Sequence, residues 1–178
     1  VPHPESSPID LYCDGMFHGT VDASTGEFQF DHLVDGDKLV ELWMPHTTEI
    51  RLRQLEFDGS SVEPYEDIRP KWVTYGSSIS HCRQAERPGE TWPAIVAREH
   101  NLNLTGLGFG GQCHLEPMIA RMMADLEADY ISMKVGINIY AISSLSTRTF
   151  GPATIGFVHI LRDRHPDTPL VVASPIIS

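Results

Sequence analysis

Hydrophobic and polar positions alternate with a period of two through the first third of the chain. Glu27-Phe28-Gln29-Phe30-Asp31 alternates strictly, as a half-buried strand does. Lys38-Leu39-Val40-Glu41-Leu42-Trp43-Met44 predicts a second strand, with Asp35-Gly36-Asp37 as the turn before it. Residues 50–57 predict a third, and Asp58-Gly59 after it is a hairpin signal because glycine accepts positive φ cheaply. Residues 1–8 are rich in proline and serine and form a loose lead-in. Short strands at such intervals predict an antiparallel β-sandwich. The segment is short for a closed two-sheet sandwich, so front strands are expected to be missing from this sequence. It is expected to be a structural flank, with a carbohydrate-binding or substrate-shaping module as the functional alternative.

The period changes after Glu63-Pro64-Tyr65-Glu66-Asp67-Ile68-Arg69-Pro70, whose prolines and acidic residues suit an extended linker. A strand over 71–75 is followed by a helix over 92–100, with Thr91 as N-cap and Pro93 in its first turn. A strand and glycine-rich turn over 101–108 precede an amphipathic helix over 115–126. A strand over 129–135, a helix over 152–165 ended by Pro166, and a strand over 169–173 complete the pattern. Strands alternating with helices predict an α/β domain with a parallel sheet covered on its faces. The predicted division is a β-sandwich segment over 1–69 and an α/β domain over 70–178. Ligands of such sheets sit beyond the C-terminal strand ends. Here those ends lead to Ser78, Gly111 and Asn138.

A formal net charge of -11 argues against nucleic acid, whose phosphates the chain would repel, and against an anionic membrane surface. No uncharged apolar run reaches the roughly 18 residues of a membrane span. Cys13, Cys82 and Cys113 are odd in number and widely spaced, which suits a reducing, cytoplasmic compartment. The histidines are scattered, with neither His-Glu-x-x-His nor Cys-x-x-Cys, so no metal site is expected.

Candidate chemistry gathers at the three strand ends. Trp72-Val73-Thr74-Tyr75-Gly76-Ser77-Ser78-Ile79-Ser80 carries a strand into a small-residue turn with three hydroxyls, where an acyl-transfer nucleophile is commonly held. Gly106-Leu107-Gly108-Phe109-Gly110-Gly111 lets backbone N–H groups approach a substrate closely. It lacks the third glycine spacing of a dinucleotide site. Val135-Gly136-Ile137-Asn138 places a side-chain N–H donor past the third strand. Donors aimed at a developing oxyanion are worth about 10²–10³ in rate each.

The three turns together resemble the blocks of the SGNH (GDSL) hydrolase family. The resemblance makes Ser78 the nucleophile. It also implies an oxyanion hole of the Ser78 N–H, the Gly111 N–H and the Asn138 amide. It implies a flavodoxin-like sheet and acyl-enzyme chemistry on a small-molecule or carbohydrate ester, without a cofactor. Thr91-Trp92-Pro93-Ala94 and Gly110-Gly111-Gln112-Cys113-His114-Leu115-Glu116-Pro117 extend the likeness to a bacterial subgroup with a β-sandwich ahead of the hydrolase domain, including polyketide-tailoring acyltransferases. Ser77 stands where the family usually has Asp, and Ile139 follows the Asn where Asp is frequent. The family's Asp-x-x-His block, which supplies the base, has no counterpart in these 178 residues. The chain is therefore expected to be truncated at both ends and inactive as it stands. His114 is expected at the substrate pocket. His81 and His114 are weaker candidates for the base, and Cys82 and Cys113 are expected to be bystanders. Two other classes stay open: a glycan- or ester-binding module on a degenerate hydrolase scaffold, and a flavodoxin-like nucleotide or flavin binder.

Overall fold

The computed structural model describes residues 6–58 and 61–175. The chain divides into two compact units, Val1–Ile68 with Gln84–Thr91, and Arg69–Arg83 with Trp92–Ser178.

The first unit holds one antiparallel sheet in the order β2-β1-β3, from β1 (Pro8–Cys13), β2 (Met16–Asp22) and β3 (Val40–Trp43). Cys13 pairs with Met16 across Asp14-Gly15, whose φ values are +50° and +77°. Two positive φ values in a two-residue loop are what a type I′ hairpin requires, and Asp-Gly supplies them. The expectation of strands over 27–31 and 50–57 is corrected here; that of a loose lead-in over 1–8 falls largely outside the described residues, and only its last residue, Pro8, belongs to a strand. The first hairpin begins at Pro8, and the other two stretches belong to no strand. In both, side chains two apart bond each other, Gln29 to Asp31 and Gln54 to Glu56. Alternation sets an extended backbone and its faces, but a strand also needs a partner ladder. The Asp58-Gly59 turn lies partly outside the described residues.

Asp10 is fully buried in β1 and is held by three donors. The Thr20 hydroxyl lies at 2.6 Å, the Gly89 N–H at 2.9 Å and the Arg87 guanidinium at 3.3 Å. Arg87 also sits 4.0 Å over the Phe17 ring. A buried carboxylate without such partners would be prohibitive. Asp10→Ala is expected to cost about 3 kcal/mol, the lower end for breaking a buried pair because Arg87 is partly exposed. Asp10→Asn, which keeps one acceptor oxygen, is expected to lose less in urea unfolding followed by tryptophan fluorescence.

The second unit is a four-stranded, all-parallel sheet in the order β5-β4-β6-β7. Its strands are β4 (Lys71–Gly76), β5 (Asn103–Gly108), β6 (Tyr130–Lys134) and β7 (Leu170–Ala173). The helices are α1 (Ser78–His81), α2 (Trp92–Glu99), α3 (Pro117–Asp125), α4 (Ile137–Ile142) and α5 (Thr147–Arg162). β4 is central and almost wholly buried, as an apolar run covered on both faces should be. Val73, Tyr75, Met123, Ile131, Met133, Phe157 and Leu161 form the core, with Tyr75 stacked on Phe157 at 5.1 Å. α5 begins five residues before the predicted Pro152. Ser146 and Thr149 close a reciprocal capping box that starts the helix upstream, and Pro152 is carried inside it.

Candidate active site

The strand β4 ends at Gly76, where the following turn leaves no room for a side chain. A Cβ on Gly76 would lie 2.2 Å from the Ser80 hydroxyl oxygen. Ser77 is fully buried and caps α1, its hydroxyl accepting from the Ile79 N–H at 3.3 Å. A short polar side chain suffices for that role, so the Ser found in place of the usual Asp keeps the turn. Ser80 is buried with its hydroxyl unpartnered. Of the three hydroxyls, Ser78 alone faces solvent.

The glycine turn is drawn against this helix. The Phe109 N–H donates to the Gly76 carbonyl at 2.7 Å, continuing the ladder past β5. A Cβ on Gly110 would stand 3.9 Å from the Ser78 Cβ and 3.3 Å from His81 Nδ1. The Gln112 N–H donates to the Phe109 carbonyl at 3.1 Å, and Gly111 has φ +74°. Positive φ at the third residue alone is the signature of a type II turn, which favours glycine there. The Gly111 N–H has no hydrogen-bond partner among the described residues.

Asn138 lies in the first turn of α4, after Gly136 at φ +117°. Its side-chain oxygen accepts from the Cys113 N–H at 3.2 Å. Because a backbone N–H can only donate, the amide oxygen is fixed at Cys113 and the NH₂ group is left to face elsewhere. That NH₂ makes no hydrogen bond among the described residues. The bond joins the second and third strand-end turns directly, a link that no spacing rule forecast. Ile139, where Asp is frequent in the family, is a buried core residue.

The stretch after the glycine turn is tied down by polar side chains. The Leu115 N–H donates to the Tyr75 phenol at 3.1 Å, and that phenol donates to Glu116 at 2.9 Å. Burial holds the Tyr75 phenol protonated far above its ordinary range. Glu116 also accepts from the His114 N–H at 3.2 Å. Leu115, at φ +64°, is held in the left-handed region that non-glycine residues seldom visit. Cys113 is buried, and burial pushes its thiol up to about 11, so it is not a thiolate nucleophile near neutral pH. Cys82 donates its thiol to the Ile79 carbonyl at 3.1 Å.

His114 has both ring nitrogens engaged, Nε2 at 3.1 Å from the Gly111 carbonyl and Nδ1 at 2.7 Å from the Ser144 hydroxyl. His114 also lines, with Leu115, Leu145, Ala153, Phe157 and Ile160, an apolar cavity of about 470 Å³. No helix among the described residues is long and apolar enough to cross a membrane.

A parallel α/β sheet whose first strand leads into a solvent-facing serine, with a glycine turn and an asparagine after its next two, is the arrangement that the SGNH (GDSL) resemblance implies. The chain belongs to the GDSL-like lipase/acylhydrolase family, whose model matches residues 70–177. Among solved structures it resembles the salicylyl-acyltransferase SsfX3 from a tetracycline biosynthetic pathway. Identity is 38%, over 94% of this chain and 52% of that one, with a TM-score of 0.73. A protein named as a GDSL-like lipase from Bacteroides ovatus is 26% identical over 96% of this chain and 52% of its own, with a TM-score of 0.66. A carbohydrate esterase family 2 enzyme from Corynascus thermopiles (Myceliophthora fergusii) shares the fold at 14% identity and a TM-score of 0.75, over 97% of this chain and 67% of its own. The chain thus spans about half the length of the first two relatives. No curated protein sequence matches it.

Proposed function

We propose that the protein is a serine-dependent acyltransferase or esterase that works through an acyl-enzyme on Ser78. The observation that carries this is the sorting of the three hydroxyls, with Ser77 capping, Ser80 buried and Ser78 open to solvent. The Ser78 oxygen attacks the acyl carbonyl and gives up its proton to a base. Negative charge builds on the former carbonyl oxygen, for which the N–H groups of Ser78 and Gly111 and the Asn138 NH₂ are the donors. Collapse of the tetrahedral intermediate expels the alcohol, and water or an acceptor hydroxyl then takes the acyl group from Ser78. Neither nitrogen of His114 suits the base, since Nε2 must carry a proton toward the Gly111 carbonyl and Nδ1 is engaged by Ser144.

The proposed substrate is a small-molecule acyl ester, a class supported by the 38% identity to a salicylyl-acyltransferase. The test uses the protein as its gene encodes it. A nitrophenyl ester should give a burst of nitrophenol and a mass increment of one acyl group on the Ser78 peptide. Added alcohols should then divert the acyl group from water if transfer is the function. Absence of any Ser78 adduct with a range of acyl esters would leave the binding-module class in place of this one.

Asn138→Asp separates the two roles of that side chain. It keeps an acceptor for the Cys113 N–H but replaces the NH₂ donor with a negatively charged oxygen. Acylation is expected to fall by about 10²–10³ or more, with the thermal midpoint little changed. An unaltered acylation rate would remove Asn138 from the oxyanion site.

A further inference from the structure

We propose that His114 is a positioning residue that ties the turn bearing the Gly111 N–H to the end of α4 and so keeps that donor in register with the Asn138 NH₂, with Ser144 as the group that holds the imidazole. This rests on the acyl-enzyme function proposed above. Gly110 and Gly111 are the two central residues of the turn from Phe109 to Gln112. An oxyanion donor works only if it is placed before the charge forms, so this turn must be held in position against the other donors.

The bonds of His114 supply that hold through the Gly111 carbonyl. A carbonyl oxygen can only accept, so Nε2 carries the proton and donates to the Gly111 carbonyl at 3.1 Å. In that tautomer Nδ1 holds a lone pair, which takes the Ser144 hydroxyl proton at 2.7 Å. Ser144 is anchored in turn, its N–H donating to the Ile139 carbonyl of α4 at 3.2 Å. The imidazole therefore spans from the end of α4 to the turn bearing Gly111. Near the start of the same helix, Asn138 grips the Cys113 N–H. The two bridges hold the 110–114 segment to α4 at two places, so both donors are referred to one helix. The His114 N–H, bonded to Glu116, keeps the histidine's own backbone fixed.

The test compares His114→Ala, Ser144→Ala, the double variant and His114→Gln by single-turnover acylation with aryl esters of several acyl sizes. Every ester shares one oxyanion, so the acylation rate constant should fall by about 10- to 100-fold for all of them alike. Substrate dissociation constants should stay put. The double variant should lose no more than His114→Ala, because Ser144 acts through the ring. His114→Gln, whose amide can still donate to the Gly111 carbonyl, should recover part of the loss. A loss that appears in substrate affinity and varies with acyl size would overturn the proposal and make His114 a wall of the adjoining apolar cavity. An unchanged acylation rate in Ser144→Ala and His114→Ala, with wild type acylating Ser78, would overturn it too while leaving the proposed function intact. A wild type that never acylates Ser78 would remove both.

Discussion

Ser78→Ala is expected to cut acyl-ester turnover by about 10⁴- to 10⁶-fold and to shift stability by less than about 0.5 kcal/mol. The large first figure follows from removing the attacking atom, and the small second one from exposure. The Ser78 side chain makes no hydrogen bond among the described residues, and alanine is at least as good a residue for the first position of a helix. Its two neighbours provide internal controls with different physics. Ser77→Ala removes the cap of α1 and should cost about 1 kcal/mol, with activity lost only as far as the turn loosens. Ser80→Ala removes a buried hydroxyl that has no partner, so stability should hold or rise, since an unpaired buried hydroxyl is itself a cost. The readouts are burst amplitude, steady-state rate and urea midpoint for the three variants side by side. Full activity in Ser78→Ala, or loss confined to Ser80→Ala, would transfer the nucleophile to another hydroxyl.

The parts of this molecule visible in its sequence are those whose cause is local. The period change near Pro70, the alternation of strand and helix, and glycines at strand ends each report on a few neighbouring residues, and the parallel sheet follows from them. The same holds for the strand-end turns bearing Ser78, Gly111 and Asn138. What escaped was set by partners far along the chain. β1 opens with Pro8 and carries Asp10, neither of them a strand signal, yet Asp10 is satisfied by Arg87 and Gly89, 77 and 79 residues away. Residues 27–31 have the better strand pattern and no strand to pair with. Asp14-Gly15 was the signal that could have found the first hairpin, being the dipeptide a type I′ turn prefers.

The site divides along the same line. Residue types at strand ends name the groups proposed to face a substrate, but not the contacts that hold them. The Asn138 bond to Cys113, the Tyr75 phenol between Leu115 and Glu116, and the His114 bridge to Ser144 join residues 25, 40 and 30 positions apart. Each uses an ordinary polar side chain whose role depends on packing rather than pattern. Tyr75 belongs to the apolar face of β4 by its ring and to the site's support by its hydroxyl, an amphipathic division common for buried tyrosine.

Gly108→Ala is the second substitution expected to act strongly, and here the damage reaches Ser78, the proposed nucleophile, through the backbone. A Cβ on Gly108 would stand 2.3 Å from the His81 nitrogen, 2.4 Å from the His81 Cα and 2.7 Å from the Ser80 carbonyl carbon. All three are main-chain atoms of α1, so no side chain can swing aside, and the helix itself must move off β5. Overpacking costs of about 1–3 kcal/mol assume that neighbours repack, so at least about 3 kcal/mol is expected where only backbone can yield. Because α1 begins at Ser78, the same shift should carry the nucleophile away from the Gly111 turn and lower acylation beyond what the folded fraction explains. Gly106→Ala is the matched control two residues earlier on β5. Nothing lies within 4 Å of its added Cβ and its φ is not positive, so it should be neutral or gain up to about 1 kcal/mol from a less flexible unfolded chain. Urea unfolding of the pair, with single-turnover acylation measured on the folded fraction, separates the two effects. Equal stability and acylation in Gly106→Ala and Gly108→Ala would mean that α1 is not seated against the end of β5, and that the close approach assembling this site is wrong.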